Sequence, residues 1–244
     1  LKTIQYALSV IAANNDNPFT IFLDTGTYSP NTNGETFPLC LFSYVSIKGK
    51  GEDKTILNAN REKNVLYMRN VQHTKIDGIT ITNGSAQFGG GIYCDNSSPS
   101  LLNVTISGNM AKFGGGGINC SNSSPSLSNV IITGNSAKDA GGINCSNSSP
   151  SLSSVTITGN FANDYGGGIN CFNSNPSLSN VTISGNTAND SGGGFYCYYS
   201  SPSLSNVTIS GNTANDSGGG FYSCRNSTII FDNENRCNIY SNSA

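Results

Sequence analysis

Four aspartates recur at nearly equal intervals and could do chemistry: Asp139, Asp164, Asp190 and Asp216. Carboxylates in pairs serve as acid and base in glycoside hydrolysis, and carboxylates in groups bind Ca²⁺ through hard oxygen ligands. Each of the four also stands just before a glycine-rich segment, where Asp is a common turn residue. We favour the solvated turn, keep a calcium site as the alternative, and rank catalysis last. An acid and a base need different environments, whereas these four have similar neighbours.

Cysteines form a second column at the same intervals: Cys94, Cys120, Cys145, Cys171 and Cys197. A disulfide needs Cβ atoms about 3.8 Å apart, closer than the strand spacing of about 4.8 Å. We therefore expect buried free thiols that pack as small hydrophobes, with one or two strained disulfides or a metal site as alternatives. The single histidine, His73, leaves a metal short of ligands. Cys224 is one residue out of the column, and a Cys224–Cys237 disulfide stays open.

An asparagine column follows glycine at every repeat: Asn109, Asn135, Asn160, Asn186 and Asn212. Gly-Asn steps favour tight bends, because both residues tolerate positive φ. Stacked asparagine side chains also hydrogen-bond along a column. We interpret this column as a structural ladder.

Two further patterns point outward from the predicted strands. One is a Thr-x-Thr face that resembles ice-binding solenoids in spacing, although Thr is also simply favoured on half-solvated strands. Its pairs are Thr80/Thr82, Thr105/Ser107, Ile131/Thr133, Thr156/Thr158, Thr182/Ser184 and Thr208/Ser210. The other is a set of tyrosines, either a patch for sugar stacking or coil contacts, or ordinary surface residues. They are Tyr93, Tyr196, Tyr198, Tyr199 and Tyr222.

All these columns recur because the chain contains an internal repeat. Pro99, Pro125, Pro150, Pro176 and Pro202 are separated by 26, 25, 26 and 26 residues. The short interval falls where a GGG turn is reduced to Gly141-Gly142, so a turn lost a residue while the apolar columns stayed in register. Each repeat holds short alternating apolar runs separated by Gly, Asn, Ser and Pro. This pattern predicts an all-β fold, a parallel β-solenoid with one repeat per coil.

The organisation follows from the repeat. Residues 1–18 are predicted to hold an amphipathic helix, Lys2 to Ala13, that caps the first coil. Residues 19–88 form irregular first coils, residues 89–222 the regular repeats of 25–26 residues, and residues 223–244 a degenerate last coil. Roughly nine coils make a rod of about 40 Å. The last coil lacks a cap, so we expect it to continue into further chain or to stack on a partner, including another copy.

The segments TIQYAL, TIFLDTGTYS and YVSIKGKGEDKTIL, followed by VTISGN and GGGI repeats, resemble the pectin-lyase-like right-handed parallel β-helix superfamily. The GGGI repeats are similar to those of polymorphic outer membrane proteins and surface-layer proteins. The resemblance implies the fold, since this superfamily includes lyases, hydrolases, adhesins and structural proteins. Its polysaccharide lyases combine calcium-binding aspartates with an Arg or Lys base. Here the segment 89–221 contains no arginine, and its only basic residues are Lys112 and Lys138.

Composition narrows the function further. Charged residues make up 11% of the chain and the formal net charge is -2, so no basic stripe is present for nucleic acid or a membrane surface. No apolar run of about 20 residues is present to span a bilayer. We expect an extracellular or cell-surface, non-enzymatic protein for adhesion, a surface layer or filament assembly. The alternatives are a polysaccharide lyase or glycoside hydrolase and, as a minor one, ice binding. Calcium is the only cofactor considered, and polysaccharide is a candidate partner.

Overall fold

The chain winds through about nine coils, and successive coils contribute strands to three parallel sheets. A computed structural model describes residues 2–244. Equivalent residues of consecutive coils lie side by side, as in the pairing of Ile118 with Ile143 and of Cys120 with Cys145. The predicted parallel β-helix of about nine coils is therefore confirmed.

The strands are numbered along the chain and belong to sheets A, B and C. Sheet A contains β1 (Phe19–Phe22), β2 (Gly26–Tyr28), β4 (Val45–Lys48), β5 (Thr55–Asn58), β7 (Lys75–Thr82), β10 (Ser100–Ser107), β13 (Ser126–Thr133), β16 (Ser151–Thr158), β19 (Ser177–Ser179), β20 (Thr182–Ser184), β23 (Ser203–Ser205), β24 (Thr208–Ser210), β27 (Ile230–Phe231) and β28 (Asn238–Tyr240). Sheet B contains β3 (Leu39–Leu41), β6 (Leu66–Arg69), β9 (Ile92–Asp95), β12 (Ile118–Ser121), β15 (Ile143–Ser146), β18 (Ile169–Phe172), β22 (Phe195–Tyr198) and β26 (Phe221–Cys224). Sheet C contains β8 (Ser85–Phe88), β11 (Met110–Gly114), β14 (Ser136–Ala137), β17 (Phe161–Ala162), β21 (Thr187–Ala188) and β25 (Thr213–Ala214).

Alternation along each strand separates the core from the surface. In β15, Ile143 and Cys145 are buried, whereas Asn144 and Ser146 are partly exposed. Successive side chains of a strand point to opposite faces, so stacking coils align the inward residues into continuous apolar columns. The same stacking aligns the outward residues into rows on the surface.

The N-terminal helix α1 spans Ile4–Val10, shorter than the predicted Lys2 to Ala13, because the backbone is already extended at Ile11. It buries Ile4 and Leu8 against the first coil, as the predicted cap should. The fully buried carboxylate of Glu35 accepts hydrogen bonds from the backbone N–H of Ile4, at 2.6 Å, and of Gln5, at 3.0 Å. A buried acid thus satisfies the helix N-terminus. Among residues 2–244, no helix is long and apolar enough to cross a membrane.

At the C-terminal end of the stack of coils, the apolar columns are exposed to solvent. Phe231 pairs with Leu204, and Ile239 pairs with Ile209. Leu204 and Ile209 are 2% and 0% exposed, whereas Phe231 and Ile239 are 41% and 43% exposed. Apolar side chains that continue the core columns are therefore exposed at the edge of the last coil. Stacking of a partner on this edge stays a prediction.

Candidate functional site

The outward side of sheet B carries two parallel rows of side chains, and we call this surface the sheet B face. The first row is Tyr67, Tyr93, Asn119, Asn144, Asn170, Tyr196 and Tyr222. The second row is Arg69, Asp95, Ser121, Ser146, Phe172, Tyr198 and Cys224. Both rows run along the rod because the strands pair in parallel and in register. The face is therefore a strip in which aromatic residues flank a polar middle.

An N-terminal aromatic cluster, made of Tyr67, Tyr93, Phe88 and Phe113, lies at one end of the strip. The rings of Tyr67 and Tyr93 stack 5.0 Å apart at an interplanar angle of 14°. Phe88 and Phe113, at the adjoining edge of sheet C, lie 5.2 Å apart. The Lys112 ammonium lies 5.1 Å from the Phe113 ring centre. A groove of about 560 Å³ runs between Tyr67, Tyr93 and Phe88.

A C-terminal aromatic cluster lies at the other end and consists of Tyr165, Phe172, Tyr196, Tyr198 and Tyr222. Tyr196 is central, with ring centres of Tyr165 at 4.7 Å and Tyr222 at 5.6 Å. In the second row Phe172 and Tyr198 stack 5.3 Å apart at 9°. Three of the tyrosines predicted as an outward patch, Tyr196, Tyr198 and Tyr222, thus lie together. Tyr93 lies in the other cluster, and Tyr199 packs edge-on against Tyr198 at the corner.

Asparagines connect the two clusters. Asn144 Nδ2 donates to Asn119 Oδ1 at 2.9 Å, and Asn170 Nδ2 donates to Asn144 Oδ1 at 2.9 Å. An amide has two N–H donors, and each link uses only one of them. Asn144 and Asn170 are partly exposed, and each keeps one amide hydrogen that no group within residues 2–244 accepts, whereas Asn119 is 4% exposed. The Asn144 amide packs on one side against Gly114 of sheet C. We call these three residues the open ladder. The sequence analysis missed it, although its signal is an Asn two residues after the last glycine in three successive repeats.

The predicted column at Asn109 forms a second, closed ladder inside the coil. Asn135 is typical: both its backbone N and its Nδ2 donate to Asn160 Oδ1 at 3.0 Å, and Nδ2 also donates to Ile106 O at 2.9 Å. The ladder is buried from Asn109 to Asn212 and continues to Asn242. Its amide groups are used by the protein itself, so the closed ladder is structural.

The predicted aspartate column lies beside the C-terminal aromatic cluster, but its members do not share one environment. In the coil with the short turn, Asp139 is followed directly by Ala140, whose backbone is left-handed at φ 55°. In the next coil Tyr165 separates Asp164 from Gly166, at φ +67°. As a result Asp139 forms a β-bridge with Gly114, and its Oδ1 is buried without a hydrogen-bond partner.

These unequal positions change the acid–base properties of the column. Burial, with a contribution from the Asp164 charge, raises the pKa of Asp139 above its usual range. Asp164 instead pairs with Lys138 Nζ at 3.3 Å, and Asp190 accepts a hydrogen bond from Ser191 Oγ at 2.8 Å. The expectation of equal environments is therefore wrong for Asp139. Residues 2–244 contain no group of three or more His, Cys, Asp or Glu side chains placed to hold a metal, and calcium binding at this column stays a prediction.

The five column cysteines lie inside the coil as free thiols, each 0% exposed. Burial raises the pKa of the Cys94 thiol to about 12, as expected for a thiol used as a small hydrophobe. The structure does not join Cys224 to Cys237. Cys224 Sγ contacts Tyr196 Oη at 3.6 Å, and Cys237 Sγ accepts from Val207 N at 3.5 Å. The reason is placement: Cys224 pairs with the outward Tyr198, while Cys237 packs at the core edge.

The Thr-x-Thr positions align on the outward side of sheet A, as their spacing predicts. The face is interrupted by Ile131, which is 42% exposed. Several hydroxyls bond to the protein: Thr82 Oγ1 donates to Ser107 O at 2.7 Å, and Thr80 Oγ1 donates to Glu52 O at 2.6 Å. Ice binding by this face stays a prediction.

A charged cluster on sheet A also escaped the sequence analysis. Asp77, 8% exposed, lies 3.5 Å from Lys75 Nζ and 3.9 Å from Lys48 Nζ, and it accepts a hydrogen bond from Asn103 Nδ2 at 3.0 Å. Lys48 and Asn103 lie far from Asp77 in sequence and meet it only because the coils stack, whereas Lys75 is in the same strand. Each charged group has a partner within the cluster, so we interpret it as structural.

The sheet B face combines the two kinds of group that recognise sugars. Aromatic ring faces carry partial negative charge and attract the C–H groups on the apolar side of a sugar ring. Amide N–H and C=O groups pair with hydroxyls, and ligand sites commonly join an apolar lining to a few such polar groups. The arrangement is therefore suited to binding a carbohydrate chain along the rod.

Comparisons with known proteins agree with the fold. A family model described as a right-handed β-helix region matches residues 64–243. Pectin methylesterase from Yersinia enterocolitica is similar in structure, with a TM-score of 0.55 at 13% identity over 96% of this chain and 95% of that chain. The mannuronan C-5 epimerase A-module of Azotobacter vinelandii aligns over 99% of this chain and 94% of that chain, with 15% identity and a TM-score of 0.32. No protein with a curated description matches the sequence. The matched region covers most of the coils, and the chain belongs to the right-handed parallel β-helix family.

Proposed function

We propose that this β-helix is a non-catalytic polysaccharide-binding protein that holds a carbohydrate chain on the sheet B face. The observation that carries the proposal is the strip itself, in which two aromatic clusters flank the open ladder. The coil keeps the strip straight and rigid, which lowers the entropy lost on binding.

The proposal agrees with the expected adhesive or surface role. A binding strip on a rigid rod serves attachment, and the polar side chains of the strip suit contact with hydrated sugars. Pectin methylesterase, the structural neighbour with the same fold, is by its name a protein that acts on a polysaccharide. At 13% identity this likeness supports the fold, and the case for binding rests on the residues of the strip.

The test is binding of soluble polysaccharides, measured by affinity electrophoresis and calorimetry with a β-glucan, a galactomannan, a xylan and amylose. Tyr93→Ala and Tyr196→Ala each remove a central ring and should weaken binding at least about tenfold, the loss expected from a single buried aromatic contact worth roughly 1.4 kcal/mol. Tyr6→Ala is the matched control, because Tyr6 is 55% exposed on α1 and lies outside both rows of the sheet B face. Equal binding by all four proteins, or binding by none, would refute the proposal.

A second candidate function, hydrolysis of a glycosidic bond, is favoured by the unequal environments of Asp139 and Asp164. Asp139, with its raised pKa, would donate a proton to the leaving oxygen, and the charged Asp164 would act as base or nucleophile toward water or the sugar. The lyase alternative is less suited, because the hydrogen bond that Lys138 donates to the Asp164 carboxylate raises the pKa of Lys138 and favours its protonated form. A reducing-sugar assay decides between them: turnover that Asp139→Asn abolishes would establish the enzyme.

A further inference from the structure

We infer that the sheet B face selects long, uncharged polysaccharides, because a ligand must reach from the N-terminal to the C-terminal aromatic cluster for full affinity. This inference rests on the proposed function and adds a length requirement and a charge class to it. It comes from the distance between the clusters and from the charges that border the strip.

The distance follows from the strand register. Tyr93 pairs with Asn119, Asn119 with Asn144, Asn144 with Asn170, and Asn170 with Tyr196. Four strand steps of about 4.8 Å place the two tyrosine columns about 19 Å apart along the rod. A disaccharide or trisaccharide is shorter than this, so it contacts one tyrosine column at a time. The inner rings Phe113 and Phe172, in the coils of Asn119 and Asn170, lie only two strand steps, about 10 Å, apart, so only a longer chain adds the tyrosines of both ends. A hexasaccharide in an extended conformation is long enough to contact both.

Simultaneous contact should produce a steep gain in affinity. Once one cluster holds a sugar chain, binding of the same chain at the other cluster becomes intramolecular, and the effective concentration replaces the bulk concentration. The rod contributes because both clusters lie on one rigid sheet. The open ladder between them offers the free amide hydrogens of Asn144 and Asn170 to hydroxyls of the intervening sugars.

Charge selects the class of polymer. Within the two rows the only charged residues are Arg69 and Asp95, which pair with each other at 3.1 Å. Beside the C-terminal aromatic cluster lies the column of four aspartates, Asp139, Asp164, Asp190 and Asp216, with a single lysine, Lys138. This border is therefore net negative and repels a polyanion. At the N-terminal cluster the groove is lined instead by Glu62, Lys63 and Lys112. The discrimination by charge therefore comes from the C-terminal border. An uncharged polysaccharide meets no such penalty.

Calorimetry with a size series of uncharged oligosaccharides from the polymer that binds tests the length requirement. We expect the affinity to rise about 100-fold or more between the trisaccharide and the hexasaccharide, and little beyond. Tyr93→Ala and Tyr196→Ala should each reduce hexasaccharide affinity to nearly the trisaccharide level, and each should change trisaccharide binding only slightly. Tyr6→Ala should follow the unmodified protein throughout.

Polygalacturonate tests the charge class. It should bind more weakly than the uncharged polymer at low salt, and the difference should shrink as added salt screens the aspartate border. Trisaccharide affinity equal to hexasaccharide affinity, or polygalacturonate binding as tight as the uncharged polymer, would overturn this inference while leaving polysaccharide binding intact. Absence of binding to every saccharide would instead refute the proposed function.

Discussion

Two asparagine ladders run along this molecule at the same spacing, and the difference between them separates structure from function. In the closed ladder, Asn135 and its equivalents use their amide groups on the next asparagine and on a backbone carbonyl. In the open ladder, Asn144 makes one side-chain link in each direction and faces solvent. A saturated buried amide holds the coil together. A partly used amide on an aromatic surface is available to a ligand.

The largest effect should come from breaking the closed ladder. Asn160→Ala leaves the backbone N of Asn135 and one hydrogen of its Nδ2 without an acceptor, and Ile132 O loses its side-chain donor. Each buried unsatisfied group costs about 1–3 kcal/mol, so the free energy of unfolding should fall by at least about 3 kcal/mol. Thermal and denaturant unfolding measure this loss. Asn144→Ala, in the open ladder, is the matched control and should cost about 1 kcal/mol or less. Similar losses in both variants would contradict the distinction between the ladders.

An intermediate effect should distinguish inward from outward positions of one strand. Cys145→Ser replaces a thiol that is 0% exposed by a hydroxyl that prefers water, and should cost about 1–3 kcal/mol of stability. Ser146→Ala, its outward neighbour in β15, should change stability by less than about 0.5 kcal/mol. Chemical unfolding of both variants provides the comparison. A larger loss of stability from Ser146→Ala than from Cys145→Ser would show that the inward and outward sides of β15 are assigned incorrectly.

A smaller effect concerns binding through the open ladder. Asn144→Ala removes two potential hydrogen bonds to a sugar, so affinity for the binding polysaccharide should fall about fivefold, equivalent to about 1 kcal/mol. The melting temperature should change little. The control for this measurement is Ser121→Ala, in the second row. A variant of the closed ladder such as Asn109→Ala would not serve, because it perturbs the fold. Undiminished affinity in Asn144→Ala would restrict recognition to the aromatic clusters.

The smallest effect is a pH dependence of stability that comes from Asp139, in the coil with the short turn. Since the pKa of Asp139 is raised in the folded protein, the folded state binds this proton more tightly than the unfolded state. Its contribution therefore favours folding in acid and is lost as the pH rises through the raised pKa. Asp139→Asn should leave the melting temperature unchanged at about pH 3 and raise it relative to the unmodified protein at about pH 7. Asp216→Asn, whose side chain is exposed, should show no such trend. If the difference in melting temperature between Asp139→Asn and the unmodified protein did not grow with pH, the pKa of Asp139 would not be raised.

The sequence predicts much of this fold and only part of the site, for a physical reason. Stacking repeats every 25–26 residues in the chain, so the inward columns and the closed ladder are visible as aligned letters. The tyrosines and the three asparagines of the open ladder occupy one outward column of sheet B, and the change of residue type from Tyr to Asn and back along it hides that they form one continuous row. Glu35 meets the N-terminus of α1, and Asp77 meets Lys48, across irregular coils that have no repeat to align. Asp139 differs from its copies because one missing residue moves a side chain without moving the strands.

Oxidative footprinting of tyrosines is the most direct test of the claim that sheet B is the binding face. The protein is labelled with and without the uncharged polysaccharide that binds, and modification of each tyrosine is read by mass spectrometry. We predict protection at Tyr67, Tyr93 and Tyr196, with no change at Tyr6 on α1 or at Tyr240 in the last coil. Protection confined to Tyr6 or Tyr240, or unchanged modification at all tyrosines under saturating ligand, would contradict the account.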